Sequence, residues 1–533
     1  MGDAEAIAAM NARVFRSHLN FLASDLLEGR GTGTRADLLT QRYLTSQLQL
    51  MGLEPGGENG TYLQAVPIVG VTSDSSMELV ARSREREEHF KFREEYVGFP
   101  GVVRQEVDLS NAELVFVGFG IVAPEQKWDD FKGTDVRGKV LLMMNDEPAS
   151  NDPKFFAGKA RTYYGRWTYK YEEAQRKGAL GVIIIHTTPT AGYGWDVVKG
   201  SWGREQSFTR RAAGEPALAL ASWVTRDAGE KLLALTGRSV DELLKASESR
   251  DFRPIPLGIR IRGVLPTRLR EQDTRNVAAL VEGSDPKLAD EVVIYLAHWD
   301  HLGIGLPVNG DNIYNGAIDN ATGCAILLEL ARAWAALPQK PRRSALFLAV
   351  TAEEAGLRGS EYYGRHPLVP IAKTALALNY DALYPLGRVK DVVVAGAERT
   401  TVWPLVQQIA RRTELAIKPD PRPEQGSYFR SDHFSFARAG IPAFSIERGT
   451  EFAGRPADYA QKWFEKFNTK SYHQPSDEFQ EDWDFTALEQ AAQFGMLIGL
   501  EVANQNGLPD WRPGDSFHRQ AEPPRAGQSG QAP

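Results

Sequence analysis

Three short segments place histidine or paired carboxylates directly after an apolar run. His298-Trp-Asp300 follows residues 292–297, Thr351-Ala-Glu353-Glu354 follows 345–350, and Asn379-Tyr-Asp381 follows 374–378. Asp319 stands in Asn315-Gly-Ala-Ile-Asp319-Asn-Ala-Thr-Gly323, and His473 in Tyr472-His473-Gln-Pro-Ser-Asp477. Imidazole and carboxylate donors with no thiolate suit a pair of divalent cations such as zinc. A catalytic zinc takes about three protein ligands and keeps one position open. A carboxylate can bridge two metals about 3.5–4 Å apart and hold both against one water. Adjacent Glu353 and Glu354 fit this chemistry. In a loop leaving a strand, neighbouring side chains diverge, so one can bind metal while the other faces the water as base. Taken singly, each element has a plainer role: a surface His-x-Asp, a solvated Glu pair, an N-cap at Asp319-Asn320. Their joint position at the ends of buried strands is what points to a metal site.

The elements that carry these residues read as α/β. The three apolar runs are strands, and a clear helix over 324–337 lies between the first two. In open α/β sheets, ligands bind beyond the carboxyl ends of the strands, where these side chains stand. Two helices are expected near the start, over 5–27 and 35–51. Between them, Gly29, Gly31 and Gly33 follow a helix rather than a strand, which disfavours a phosphate loop and favours a helix end. Residues 71–262 change texture to short β-rich runs with glycine turns, including 114–117, 140–143 and 182–185. The mixed-sign run 82–95 reads as a solvated face. The tail, rich in Pro, Gly, Gln and Arg, reads as disordered.

Composition bounds the function. The chain has 533 residues, enough for about three to four domain-equivalents. Hydrophobic residues make up 42% and charged residues 25%, as in ordinary globular proteins. A net charge of −7 argues against a nucleic-acid partner. The single cysteine, Cys324, excludes an intrachain disulfide framework and a zinc ribbon or finger, and itself reads as a small buried side chain. No apolar run reaches the length of a membrane span; the longest, near 179–185, suits a buried strand. The opening Met1-Gly-Asp-Ala-Glu-Ala has no basic start followed by an apolar core, so no signal peptide is read there. Neither His-Glu-x-x-His nor Gly-x-Ser-x-Gly occurs, which disfavours single-zinc proteases and serine hydrolases.

The motifs in order carry a specific resemblance. His298-Trp-Asp300, Gly316-Ala-Ile-Asp319-Asn-Ala-Thr-Gly323, Glu353-Glu354-Ala-Gly356-Leu357-Arg-Gly359-Ser360, Asn379-Tyr-Asp381, Ser431-Asp-His-Phe-Ser-Phe436 with Gly440-Ile-Pro442, and Tyr472-His473-Gln-Pro475-Ser-Asp477 resemble the co-catalytic di-zinc peptidases. That family contains bacterial leucyl aminopeptidases and glutamate carboxypeptidase II. The segments 117–122, 138–142 and 174–183 resemble an inserted protease-associated domain. The resemblance implies a mixed, mostly parallel sheet flanked by helices, with residues 1–70 as its N-terminal helical part. Residues 71–265 would be the β-rich insertion, 266–510 the catalytic domain and 511–533 the tail.

Carried over by position, the resemblance implies two Zn2+ per chain. One would be held by His298, Asp319 and Asp381, the other by Asp319, Glu354 and His473, with Asp319 as bridge. Asp300 would orient His298 from behind, Glu353 would be the general base, and Tyr472 would steady the oxyanion. His301 and His433 lie outside the family's ligand positions, and Asp311 lacks the helix that follows Asp319. The implied activity is a zinc-dependent exopeptidase, foremost an aminopeptidase acting on peptides. A carboxypeptidase or dipeptidase is the alternative, with Arg422, Arg430, Arg438 and Arg448 in the stretch where a substrate carboxylate would be gripped. A non-catalytic binding protein of the same fold is disfavoured, because every ligand position and the base are present. Family habit implies a secreted or periplasmic protein, with the cytoplasm left open.

Overall fold

Runs of aliphatic residues buried on both faces become the interior strands of a parallel sheet. In the computed structural model, which describes residues 7, 10–203, 205–210, 217–447 and 449–517, the strands β1 (Val264–Val281), β2 (Val292–His298), β3 (Ser344–Val350), β4 (Thr374–Asn379) and β5 (Ala443–Ser445) form such a sheet. Their order is β1-β3-β2-β4-β5. Strands β3, β2, β4 and β5 run parallel, and β1 runs antiparallel beside β3. Every residue of β2, β3 and β4 is buried. The register pairs His298 with Val350 and Leu296 with Asn379, so the three chemistry-bearing loops leave the sheet at one edge.

Four helices pack into the same core: α1 (Ala12–Leu22), α2 (Arg35–Leu50), α3 (Thr322–Ala335) and α4 (Thr486–Asn504). Helix α3 is apolar almost all round and buried along nearly its whole length, as a helix enclosed by a core must be. Helix α4 carries Gly495 and Gly499 one turn apart. A Cβ at Gly495 would stand 1.7 Å from the Tyr380 hydroxyl, and one at Gly499 would stand 1.9 Å from that of Tyr295. The glycines let the helix approach two fully buried tyrosines, Tyr295 within β2 and Tyr380 just after β4. The Tyr295 hydroxyl donates to the Gly495 carbonyl at 3.3 Å and accepts from Trp334 Nε1 at 3.2 Å.

The chain divides into two compact units. One comprises residues 1–66, 274–420 and 431–533; the other comprises 67–273 and 421–430. The second unit has its own eight-stranded sheet and its own apolar cores. Its middle strands Ala112–Phe116, Val140–Met144, Gly181–Ile185 and Leu220–Val224 are parallel. The expected limits 71–265 differ from the observed ones for a physical reason. The passages between units lie inside the long strands Leu63–Ser73 and Val264–Val281, where no turn marks them.

The expected tail also begins later than position 511. Trp511 is buried and donates from Nε1 to the Gly440 carbonyl at 3.2 Å, while Asp515 pairs with Arg399 at 2.8 Å. Two aromatic anchors, Trp511 and Phe517, whose rings lie 5.5 Å apart, outweigh the polar composition around them. Residues 518–533 lie outside the described residues. Among the described residues no helix is long and apolar enough to cross a membrane.

Gly499→Ala is expected to destabilise the protein by roughly 1–3 kcal/mol through overpacking, despite alanine's better helix propensity. Adding Tyr295→Phe is expected to recover part of the loss. Thermal unfolding of the single and double variants checks this; an unchanged melting temperature in Gly499→Ala would remove the close-approach argument.

Candidate metal centre

The loop after β2 turns back on itself because three groups hold it. Arg30 is buried, and its guanidinium donates to the carbonyls of Leu22, Trp299, Asn315 and Gly316, at 2.5 to 2.8 Å. It thereby ties the loop after His298 to the loop before Asp319. Cys324, at the start of α3, donates from Sγ to the His298 carbonyl at 3.2 Å. The Asp300 carboxylate accepts the backbone N–H groups of Glu353 at 3.0 Å and Glu354 at 3.3 Å, joining the ends of β2 and β3.

Asp319 is set by a second frame. The buried Asp477 carboxylate accepts the N–H groups of Ile318 and Asp319 at 3.0 Å each. Asn320 donates to the Tyr380 carbonyl at 3.0 Å and accepts from Gly323 N–H at 2.9 Å, so the turn is bound to the end of β4. Gly316 has φ +61, and a Cβ there would lie 2.2 Å from the Asp319 carbonyl oxygen and 2.4 Å from the His301 ring. Only glycine meets both demands. After β4, the Ser431 hydroxyl donates to Asp381 Oδ2 at 2.5 Å and accepts from Asn379 Nδ2 at 2.7 Å.

These frames bring the sequence-selected side chains together. His298 Nε2 lies 3.3 Å from Asp319 Oδ1 and 3.4 Å from Asp381 Oδ1. His473 Nε2 lies 3.3 Å from Asp319 Oδ2 and 3.1 Å from Glu354 Oε2. Asp319 thus offers one oxygen to each side. Two groups have the spacing of metal sites, His298 with Glu353 and Asp381, and His301 with Asp319 and Glu354. Tyr472 stacks on His473 with ring centroids 3.9 Å apart.

Asp300 meets His298 differently from the expected arrangement. His298 Nδ1 lies 3.1 Å from the Asp300 backbone carbonyl but 3.8 Å from its carboxylate, whose hydrogen bonds go to the Glu353 and Glu354 amides.

His301, set aside on sequence, is buried with Nδ1 2.7 Å from Glu354 Oε1. Its nearness to His298 was visible; its direction depends on the turn that Arg30 and Gly316 impose. Arg30 carried no chemical signature beyond lying in a glycine-rich turn, whereas Asp477 ends the quoted motif 472–477 without a role being read for it. His433 is buried near Asn379 and belongs to neither metal-spaced group. Asp311 caps its own hairpin by accepting Ile313 N–H at 3.0 Å. Arg422 and Arg430 belong to the second unit, Arg438 is exposed over the Phe434 ring, and Arg448 lies outside the described residues.

The electrostatics call for cations. Burial pushes the carboxyls of Asp300, Asp432 and Asp477 up to about 7. Burial, with Glu354, Asp432 and Asp381 nearby, drives Glu353 well above its ordinary value. For His473, burial is outweighed by Glu354 and Asp319, and its pKa rises to about 10. For Glu354, burial is outweighed by His473 and His301, and its pKa falls to about 2. His298 Nε2, both ring nitrogens of His301 and of His473, and Glu354 Oε1 are buried without a hydrogen-bond partner. Buried lone pairs of imidazole and carboxylate aimed at a shared space, with excess negative charge, fit divalent ions.

The family model described as Peptidase family M28 matches residues 276–495. The leupeptin-inactivating enzyme 1 of Streptomyces exfoliatus is 28% identical over 194 residues, covering 35% of this chain and 39% of that one. The aminopeptidase NAALADL1 of Mus musculus is 28% identical over 170 residues, covering 29% of this chain and 21% of its own length. The chain thus spans about two fifths or less of these curated relatives. Among solved structures, the aminopeptidase from Aneurinibacillus sp. strain AM-1 aligns over 97% of this chain and 100% of its own, with TM-score 0.52 and 21% identity, a likeness of fold.

The raised histidine and carboxyl pKa values give a sign to pH dependence. For His473, stability is full below its unfolded value of 6.5 and drains as pH rises through about 10. Asp300, Asp432 and Asp477 act in the same direction between 3.8 and about 7, because the folded state resists their ionisation. Chelated protein is therefore expected to melt at progressively lower temperature from pH 6 to pH 9. Metal is expected to flatten that slope, since it replaces the protons it releases. Melting curves with chelator and with zinc check this; a flat chelated profile would contradict the electrostatic account.

Proposed function

From the match of residues 276–495 to the model of peptidase family M28, we propose that the chain is a zinc-dependent exopeptidase that removes N-terminal residues from peptides. The observation that carries the reading is Asp319, whose two oxygens face His298 on one side and His473 on the other. In this reading His298, Asp319 and Asp381 hold one zinc, and Asp319, Glu354 and His473 hold the other. His301, against the second oxygen of Glu354, fixes that carboxylate's orientation. Bound zinc would supply Lewis-acid polarisation of the scissile carbonyl and a more acidic water.

The remaining chemistry belongs to the chain's own residues. Glu353, the divergent neighbour of Glu354, takes a proton from the attacking water and passes it to the leaving amine. Burial, and then the carboxylates of Glu354, Asp432 and Asp381, hold Glu353 well above its ordinary value, and added positive charge would oppose both. Asp300 positions Glu353 and Glu354 by accepting both their amides. Tyr472, beside His473, steadies the oxyanion through its hydroxyl. The second unit is read as a protease-associated insertion, supported by its own glycine-punctuated parallel strands. A secreted or periplasmic setting follows the habit of such peptidases.

Cleavage of a leucyl anilide but not its N-acetylated form, lost on chelation and restored by zinc, is the expected result. Cleavage of peptide free acids but not of the anilide would favour the carboxypeptidase reading. Glu353→Gln is expected to keep two zinc ions and lose turnover by about 10²–10⁴-fold; near-normal turnover would remove Glu353 as base. His473→Ala is expected to lose one equivalent of zinc while His301→Ala keeps two. Metal analysis of the purified variants decides between these two histidines.

A further inference from the structure

Glu28, Gly29 and Arg30 stand consecutively in the left-handed region, with φ 45, 66 and 48. Two of the three are not glycine, so the turn is strained, and such strain persists only where the surroundings enforce it. Here the turn is wedged between two loops. The Arg30 carbonyl accepts His301 N–H at 3.3 Å, and a Cβ at Gly29 would stand 2.3 Å from the Tyr314 carbonyl oxygen. What the strain delivers is the Arg30 side chain, 1% exposed. Its Nε donates to the Trp299 carbonyl at 2.8 Å, between His298 and Asp300 in sequence. Its terminal nitrogens donate to the carbonyls of Asn315 at 2.7 Å and Gly316 at 2.8 Å, just ahead of Asp319.

All its side-chain hydrogen bonds go to backbone carbonyls, and among the described residues no carboxylate pairs with it. Arg343, equally buried, instead pairs with Glu291 at 2.7 Å. Burial lowers the Arg30 pKa, and the charges that oppose this include Asp300, Asp477 and Asp319. Beside bound divalent ions a fixed positive charge is repulsive. Its place there is explained by geometry: a planar guanidinium offers five donors in a rigid fork and can join two loops at once.

We infer, on the metal reading given above, that Arg30 is a positioning residue for metal binding. It sets His298 against Asp319, so the ion held by His298, Asp319 and Asp381 depends on it more than the ion held by Asp319, Glu354 and His473. Two donors of the first ion follow or precede the clamped carbonyls directly. Of the second ion's donors only Asp319 does, and its amide is also held by Asp477, while that of Glu354 is held by Asp300.

Zinc affinity of the full-length chain, measured by competition with a chromophoric chelator, tests this in two backgrounds. His473→Ala leaves the first position to be measured, and Asp381→Ala the second. Arg30→Lys and Arg30→Met are each expected to weaken the first position about 10–100-fold, and the second about threefold or less. Arg30→Met also removes the like charge. A tighter first position in that variant would mean that Arg30 acts by its charge, and would overturn the inference. Equal weakening of both positions would make Arg30 a general support of the fold and overturn it as well. If neither variant folds, Asn315→Ala serves in the same backgrounds. It frees the same turn by removing donors to the Ala23 carbonyl at 3.0 Å and Asp25 at 2.8 Å, and is expected to weaken the first position several-fold; unchanged affinity there would be equally fatal. An unsubstituted protein that binds no zinc would sink the metal reading, and the role of Arg30 with it. Two bound ions indifferent to Arg30 would sink that role alone.

Discussion

The constraint on which the first unit rests is the burial of more carboxylates than its own cations can neutralise. Asp300, Asp319, Glu353, Glu354, Asp381, Asp432 and Asp477 crowd one sheet edge, against His298, His301, His473 and the buried Arg30. Without added positive charge, several of these acids hold protons and the histidines are drawn into ion pairs. The loops that present them would separate if they depended on the donor atoms alone. They are held instead by groups outside the donor set: Arg30 on four carbonyls, Asp300 on two amides, Asp477 on two more, and Asn320 across to Tyr380. The backbone carries the geometry, which leaves the lone pairs of the donors uncommitted.

Much of this was legible in the sequence. Strands expected over 292–297, 345–350 and 374–378 appear as Val292–His298, Ser344–Val350 and Thr374–Asn379, and the helix over 324–337 appears as Thr322–Ala335. Long aliphatic runs leave little choice of conformation, and a polar residue at the end of such a run must sit at the sheet edge. The illegible parts share a cause: they depend on contacts between residues far apart in the chain. Arg30 reaches residues 269 and 285 positions away. His301 looked like a neighbour of a donor, yet its direction is decided by a turn that Gly316 and Arg30 shape from elsewhere. The unit boundaries fall inside strands, which local composition does not mark, and Trp511 is a single anchor in a polar background.

Close approach of backbone and side chains recurs in the first unit. Gly495 and Gly499 bring α4 against Tyr380 and Tyr295, and Gly316 brings the Asp319 turn against His301. Each position gives up helix propensity or side-chain packing for distance. The second unit distributes its polar groups otherwise, with the buried Lys170 satisfied by the carbonyls of Asp146 and Tyr164.

The reach of Arg30 has a further consequence for how the molecule comes into being. Its four acceptors come from α1 and from two loops encoded past the midpoint of the chain, and His473 lies later still. A growing chain emerging from the ribosome therefore carries the N-terminal clamp long before it has anything to clamp. The donor constellation closes only after the C-terminal third has been made and packed. Completion of the donor set would thus be the last event of assembly, and a chain ending before His473 would lack it however much of its sheet had formed.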